Sequence, residues 1–239
     1  MKYFKSLLFT LAGLFFAANL SAHALWIETN SSGKVGQAQQ VKVYYGEYAE
    51  NERDETGKWY SDVKELTLWL VGPDKQKIKL ATTLGDNVAS ASFTPSKDGQ
   101  YTLLVSHPAK DLAGTTKYHF LSSATVTVGK TAADIDGEAI SNELKIYPAA
   151  GIKYKANSPV KLKALHNGSL KADATVNVFS PAGWSVVLKT NKEGIAEFTP
   201  LWPGRYVIEV SDFQKKKGSA DGQDYESLWQ GSTHSFEVK

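Results

Sequence analysis

The chain has no cysteine. Disulfides, thiolate metal sites and thiol nucleophiles are therefore excluded together. Its single methionine is residue 1, which also excludes the methionine-rich sites that hold reduced copper. An excess of one charge is missing too: 27 Lys and Arg stand against 25 Asp and Glu, and losing Lys2 and Lys5 with a leader would leave 25 of each. Such a balance argues against nucleic acid or a strongly anionic surface as partner. Helical periodicity, a Gly-x-Ser-x-Gly elbow, a His-Glu-x-x-His pair and a phosphate loop are all absent, and no carboxylates pair in a recognisable cleft. The chain is read as a non-enzyme.

One apolar run is present, Ser6 to Ala18, behind the basic pair Lys2 and Lys5. It is short for a membrane span and has the form of a secretory signal, so the mature protein is expected to be exported, soluble and periplasmic, with no direct membrane span. No lipobox cysteine offers a lipid anchor. Two cleavage sites compete. A cut after Ala22 leaves His23 first, whereas a cut after Ala24 satisfies A-x-A through Ala22 and Ala24 and discards that histidine.

Past the leader the chain repeats itself. Phe93-Thr94-Pro95 through Gly99, Tyr101, Val105 and Ser106 return at the same offsets as Phe198-Thr199-Pro200 through Gly204, Tyr206, Val210 and Ser211. Upstream turns at Gly72-Pro73-Asp74 and Ser180-Pro181-Ala182-Gly183 correspond as well. Period-two alternation marks strands, with Leu66, Leu68 and Leu70 in one half and Tyr206, Ile208 and Val210 in the other. In that reading Val207 and Glu209 take the opposite face. The expected fold is all-β: two tandem Ig-like or transthyretin-like antiparallel β-sandwiches after a cleaved signal peptide. The expected boundaries are a signal at 1–22, a first sandwich at 23–129, a small acidic linker at 130–141 and a second sandwich at 142–239.

A histidine at the mature N-terminus would offer two nitrogens from one residue, the α-amine and Nδ1, to an ion such as Cu(II) or Ni(II). His119 and His107 are the expected second ligands, with Glu28, Glu47 and His234 as further donors. Glu28 lies two residues from Trp26, so both fall on one side of their strand. His166, before the Asn167-Gly168 turn, is read as a turn residue. Asn51-Glu52-Arg53-Asp54-Glu55 is read as a solvated loop. Trp59, Tyr60, Trp69, Trp184 and Trp229, with Tyr44, Tyr45 and Tyr48, present an alternative, a sugar platform contacting ligand at Trp59 and Trp184. The same residue types also fill sandwich cores.

Two resemblances add to this reading. The stretches Ala174–Phe179, Lys189–Phe198 and Pro203-Gly204-Arg205-Tyr206 resemble transthyretin-like and collagen-adhesin B-type modules. The whole mature chain resembles an exported bacterial family carrying a domain of unknown function, whose members are described as periplasmic components of nickel uptake systems. The resemblance rests on His23-Ala24-Leu25-Trp26-Ile27-Glu28, Tyr45-Gly46-Glu47-Tyr48, Leu144-Lys145-Ile146-Tyr147-Pro148 and the closing Ser232–Val238 strand. It favours cleavage before His23. It implies a periplasmic protein that binds a divalent transition metal, nickel, copper or cobalt, and serves an inner- or outer-membrane transporter. Many members carry further histidines soon after the first, and this chain does not. The other function weighed is a non-metal envelope interaction or carbohydrate-binding module.

Overall fold

A computed structural model describes residues 23–130 and 134–239; the signal expected over 1–22 lies outside the described residues. Among the described residues nearly all the regular structure is strand, and the helical turns are two three-residue 3-10 turns at Thr56–Lys58 and Val63–Glu65. The first half runs β1 (Ala24–Thr29), β2 (Ser32–Gly33), β3 (Gln39–Gly46), β4 (Leu68–Val71) and β5 (Lys77–Leu80). It continues with β6 (Thr83–Leu84), β7 (Ala89–Phe93), β8 (Gly99–Ala113) and β9 (Thr116–Val128). The second half runs β10 (Leu144–Pro148), β11 (Val160–His166), β12 (Ser169–Leu170), β13 (Thr175–Phe179) and β14 (Ser185–Lys189). It ends with β15 (Ile195–Phe198), β16 (Gly204–Gln214), the hairpin β17 (Gly218–Ala220) and β18 (Gln223–Tyr225), and β19 (Ser227–Val238).

A nine-stranded sheet runs through both halves in the order β14-β13-β16-β19-β9-β8-β4-β5, with β2 also on β9. The four-stranded sheet β1-β3-β7-β6 packs in the first half, and β10-β11-β12 with β15 in the second. They lie on opposite faces of the large sheet. Phe120 belongs to the core with Leu25, Ile27 and Val43, while its neighbour Leu121 belongs to the core with Ile146, Leu162 and Phe236. Successive strand residues point to opposite faces, so one strand serves two cores.

The expectation of purely antiparallel sandwiches is corrected where the halves meet. There β19 runs parallel to β9, from Ser227↔Thr116 to Ser235↔Ala124, and β2 is also parallel to β9. The described part of the expected linker packs closely, since Ile140 is fully buried against Val71, Leu104 and Tyr147. Hydroxyls finish the seam. Thr233 donates to the Leu25 carbonyl at 2.7 Å, Ser235 donates to that of Ile27, and the Ser122 and Thr233 hydroxyls pair at 2.8 Å. Because β1 is an edge strand, these donors satisfy carbonyls that its sheet leaves free.

The sequence repeat builds one corner twice. Gly99 takes φ +143° beneath Pro73, and Gly204 takes φ +131° beneath Pro181. Two residues on, the Tyr101 hydroxyl donates to the Lys97 carbonyl at 3.0 Å and the Tyr206 hydroxyl to that of Trp202 at 3.1 Å. A Cβ at Gly204 would stand 2.7 Å from Pro181 Cγ, in a backbone region that side chains avoid. Gly204→Ala should therefore cost about 2 kcal/mol. Urea unfolding checks this, and a loss below about 0.5 kcal/mol would show that the corner yields freely.

Candidate metal site

His23 lies just before β1, whose first residue, Ala24, pairs with Gly46 at the end of β3. Beyond Gly46 the chain doubles back. The Glu52 amide donates to Glu47 O at 3.0 Å, and the Asp54 amide to Tyr45 O at 3.0 Å. The Trp59 indole N–H then pins the Asp54 carbonyl at 3.0 Å. This fold-back sets two carboxylates on opposite sides of one imidazole. Nδ1 of His23 is 3.5 Å from Glu47 Oε1, and Nε2 is 3.4 Å from Asp54 Oδ2. The ring leans on Tyr45 at 5.5 Å between centroids. Burial first, and then the Asp54 carboxylate, push the Tyr45 hydroxyl above its ordinary range, so it remains a protonated neighbour.

The arrangement divides roles between the two ring nitrogens. Nε2 faces the Asp54 carboxylate and Nδ1 faces that of Glu47, so a positioning partner and a candidate co-ligand stand on different sides of the ring. Two donors bound at about 2.1 Å to one tetrahedral ion stand about 3.4 Å apart, close to the 3.5 Å between Nδ1 and Oε1. His23 retains 38% side-chain exposure, so an ion has a route in. Among the described residues, no three His, Asp or Glu side chains already stand together at metal-binding spacing.

The other expected ligands have partners of their own. His107 Nε2 lies 3.1 Å from Asp62 Oδ1. Burial works to raise Asp62, but the Lys110 amide and His107 outweigh it and hold the carboxyl below its usual range. His119 sits on the opposite face of the large sheet, with Nε2 2.9 Å from Ser106 Oγ and Nδ1 3.4 Å from the Gln230 amide. Burial lowers its pKa, against the pull of Glu143. His234 is fully buried, with Nδ1 2.8 Å from Ser123 Oγ. His166 faces Asp212 at 3.6 Å. Glu28 shares one side of its strand with Trp26, whose indole N–H donates to it at 3.0 Å. Arg53 reaches Glu28 at 3.1 Å and Arg205 at 3.9 Å, so this carboxylate ties the halves together.

The profile of the Domain of unknown function (DUF4198) matches residues 20–212, a span that begins before His23 and ends beyond Glu209. The chain belongs to this family. No curated protein matches this DUF4198 chain. Among solved structures, it is similar to Salmonella alpha-2-macroglobulin reacted with methylamine, at 9% identity and TM-score 0.30, over 90% of this chain and 14% of that one. Trypsin-activated alpha-2-macroglobulin from Escherichia coli is similar at 6% identity and TM-score 0.28, over 90% of this chain and 16% of that one. The DUF4198 chain thus spans less than a fifth of these proteins. Likeness at such scores carries no argument about its fold or function.

Three features of the site depart from the sequence reading. Asp54 and Arg53 belong to a loop read as solvated, yet Asp54 meets His23 and Arg53 stacks over Tyr44 at 4.7 Å. Trp59, the sugar contact of the alternative reading, is 4% exposed and packs in the first core. Glu209, on the strand face opposite Tyr206 and Ile208, is also buried, at 8% exposed. Burial first, and then repulsion from Glu47, raise its carboxyl to about 7. It shares with Glu47, Ala24 and Gly46 the wall of a small cavity of about 20 Å³.

Proposed function

We propose that this DUF4198 protein carries a divalent transition metal, nickel, copper or cobalt, in the periplasm and delivers it to a membrane transporter. In this reading two Ig-like sandwiches, the second transthyretin-like, stand in tandem after a cleaved signal peptide. Cleavage after Ala22 frees the α-amine of His23. The amine and Nδ1 then form a six-membered chelate, and the Glu47 carboxylate adds an oxygen. Asp54 orients the ring from its far side, the usual support for a metal-binding histidine. The observation that carries the reading is the His23 imidazole held between Glu47 and Asp54 at 3.5 and 3.4 Å.

A nitrogen and oxygen donor set suits Ni(II), Co(II) and Cu(II), and without thiolate or thioether it disfavours Cu(I). Release follows from the same chemistry, because amine and imidazole must lose protons to coordinate, so affinity rises with pH. Intact mass of the exported protein should place His23 first. Calorimetric titration with Ni(II), Co(II) and Cu(II) should then show binding that His23→Ala weakens at least about tenfold. Mature protein beginning at Leu25, or equal binding by the His23→Ala variant, would overturn the reading.

A further inference from the structure

The parallel pairing of β19 with β9 stops at Ser235↔Ala124, and beyond it the two strands part. β19 stays on β16 as far as Gly204↔Val238, while β9 stays on β8 and takes β2 as its new neighbour at Thr127 and Val128. At this fork lies a cleft of about 710 Å³, lined by residues 30–35 of the first half and 152–154 of the second. Its size falls in the range of small-molecule sites. A chamber of about 20 Å³ adjoins it, sharing Ser31, Thr127, Ile152, Tyr154 and Glu237 as lining, with Thr125 and His234 also in its wall.

Two polar atoms of that wall lack partners. His234 is fully buried, and neither its Nε2 nor the Thr125 hydroxyl oxygen bonds to a described residue. Such atoms are costly unless something polar meets them, and the chamber has room for one oxygen. The wall selects which kind. Burial keeps the His234 ring neutral. The Glu237 carboxylate lines the chamber too, so an anionic oxygen would meet like charge. That carboxylate already holds the Ser31 hydroxyl at 2.7 Å and Arg205 at 3.0 Å, so it does not call for a cation. A neutral hydroxyl both donates and accepts, and it suits Nε2 in either tautomer as well as the Thr125 hydroxyl. In the outer cleft Gln39 gives its amide hydrogens to Thr29 Oγ1 and Asn30 O at 2.9 and 2.8 Å, which leaves its oxygen as an acceptor.

We propose that the cleft at the fork of β9 and β19 binds a small neutral polyhydroxylated molecule of sugar size, which places one hydroxyl against His234 and Thr125. A ligand hydroxyl there takes the place of a water and reproduces its bonds. His23, Glu47 and Asp54 have no part in the lining, so the proposal stands apart from the metal reading.

The test titrates the exported chain with glucose, N-acetylglucosamine and maltose by calorimetry and follows the His234 ring nitrogens by NMR. At least one of these sugars should bind with a Kd below about 10 mM and shift the Nε2 resonance. Thr125→Val keeps the side-chain shape without the hydroxyl and should weaken that binding about fivefold, the usual worth of one hydrogen bond. Ser32→Trp, at the exposed rim, should abolish binding while leaving the melting temperature unchanged. Failure of all three sugars to bind, or binding that either variant leaves unchanged, would overturn the proposal. Binding with an unmoved Nε2 resonance would overturn it as well, the chamber then holding a structural water only. Glucuronate bound more tightly than glucose would overturn the assignment to a neutral ligand.

Discussion

Lowering the pH from 7.5 to 4.5 should remove about 3 kcal/mol of folding stability through His234 alone. The side chain is fully buried in β19 at the seam with β9, and Nε2 has no hydrogen-bond partner among the described residues. Burial lowers its pKa from 6.5 to about 3. The native state therefore holds a neutral ring through a range in which the unfolded chain takes up a proton. With the unfolded state binding more protons, stability rises with pH between about 3 and 6.5 and levels off above. Each pH unit within that window is worth about 1.4 kcal/mol. Urea denaturation of wild type and His234→Gln at pH 7.5, 5.5 and 4.5 checks it, because the other titrating groups act on both proteins. The difference between the two should narrow by about 3 kcal/mol at pH 4.5. Parallel pH profiles would show that the ring is charged, or solvated, in the native protein.

His234 also illustrates what could and could not be read from sequence. The repeated corner was legible, because Gly99 and Gly204 beneath Pro73 and Pro181 are local geometry with a residue signature. The beginning of the site was legible too: the His-x-x-Trp-Ile-Glu motif and the Gly46-Glu47 turn mark two groups that meet at 3.5 Å. The shared sheet was not. Pairing β19 with β9 joins residues some 111 apart in parallel, and no turn announces it. Once both faces of β16 and β19 are covered, alternation stops reporting exposure, so it gave no sign that Glu209 and His234 are both buried. Asp54 escaped notice for a related reason. Its loop is polar in composition, but Trp59 inserts into the core and pulls the loop over the end of β3.

Metal-free Glu209→Gln should be more stable than wild type at pH 8, by about 3 kcal/mol. Burial and the Glu47 charge raise the Glu209 carboxyl from 4.5 to about 7. Between those values the native state keeps a proton that the unfolded chain has released, so stability falls as pH rises through the window. Above about 7 the full loss is in place, and below about 4.5 it is gone. Glutamine has the same shape and no charge, so the advantage of the variant should vanish at pH 4.5. The direction is opposite to that of His234, and each variant isolates a slope that the other partly hides in wild type. A variant no more stable than wild type at pH 8 would mean that the carboxylate already has a partner.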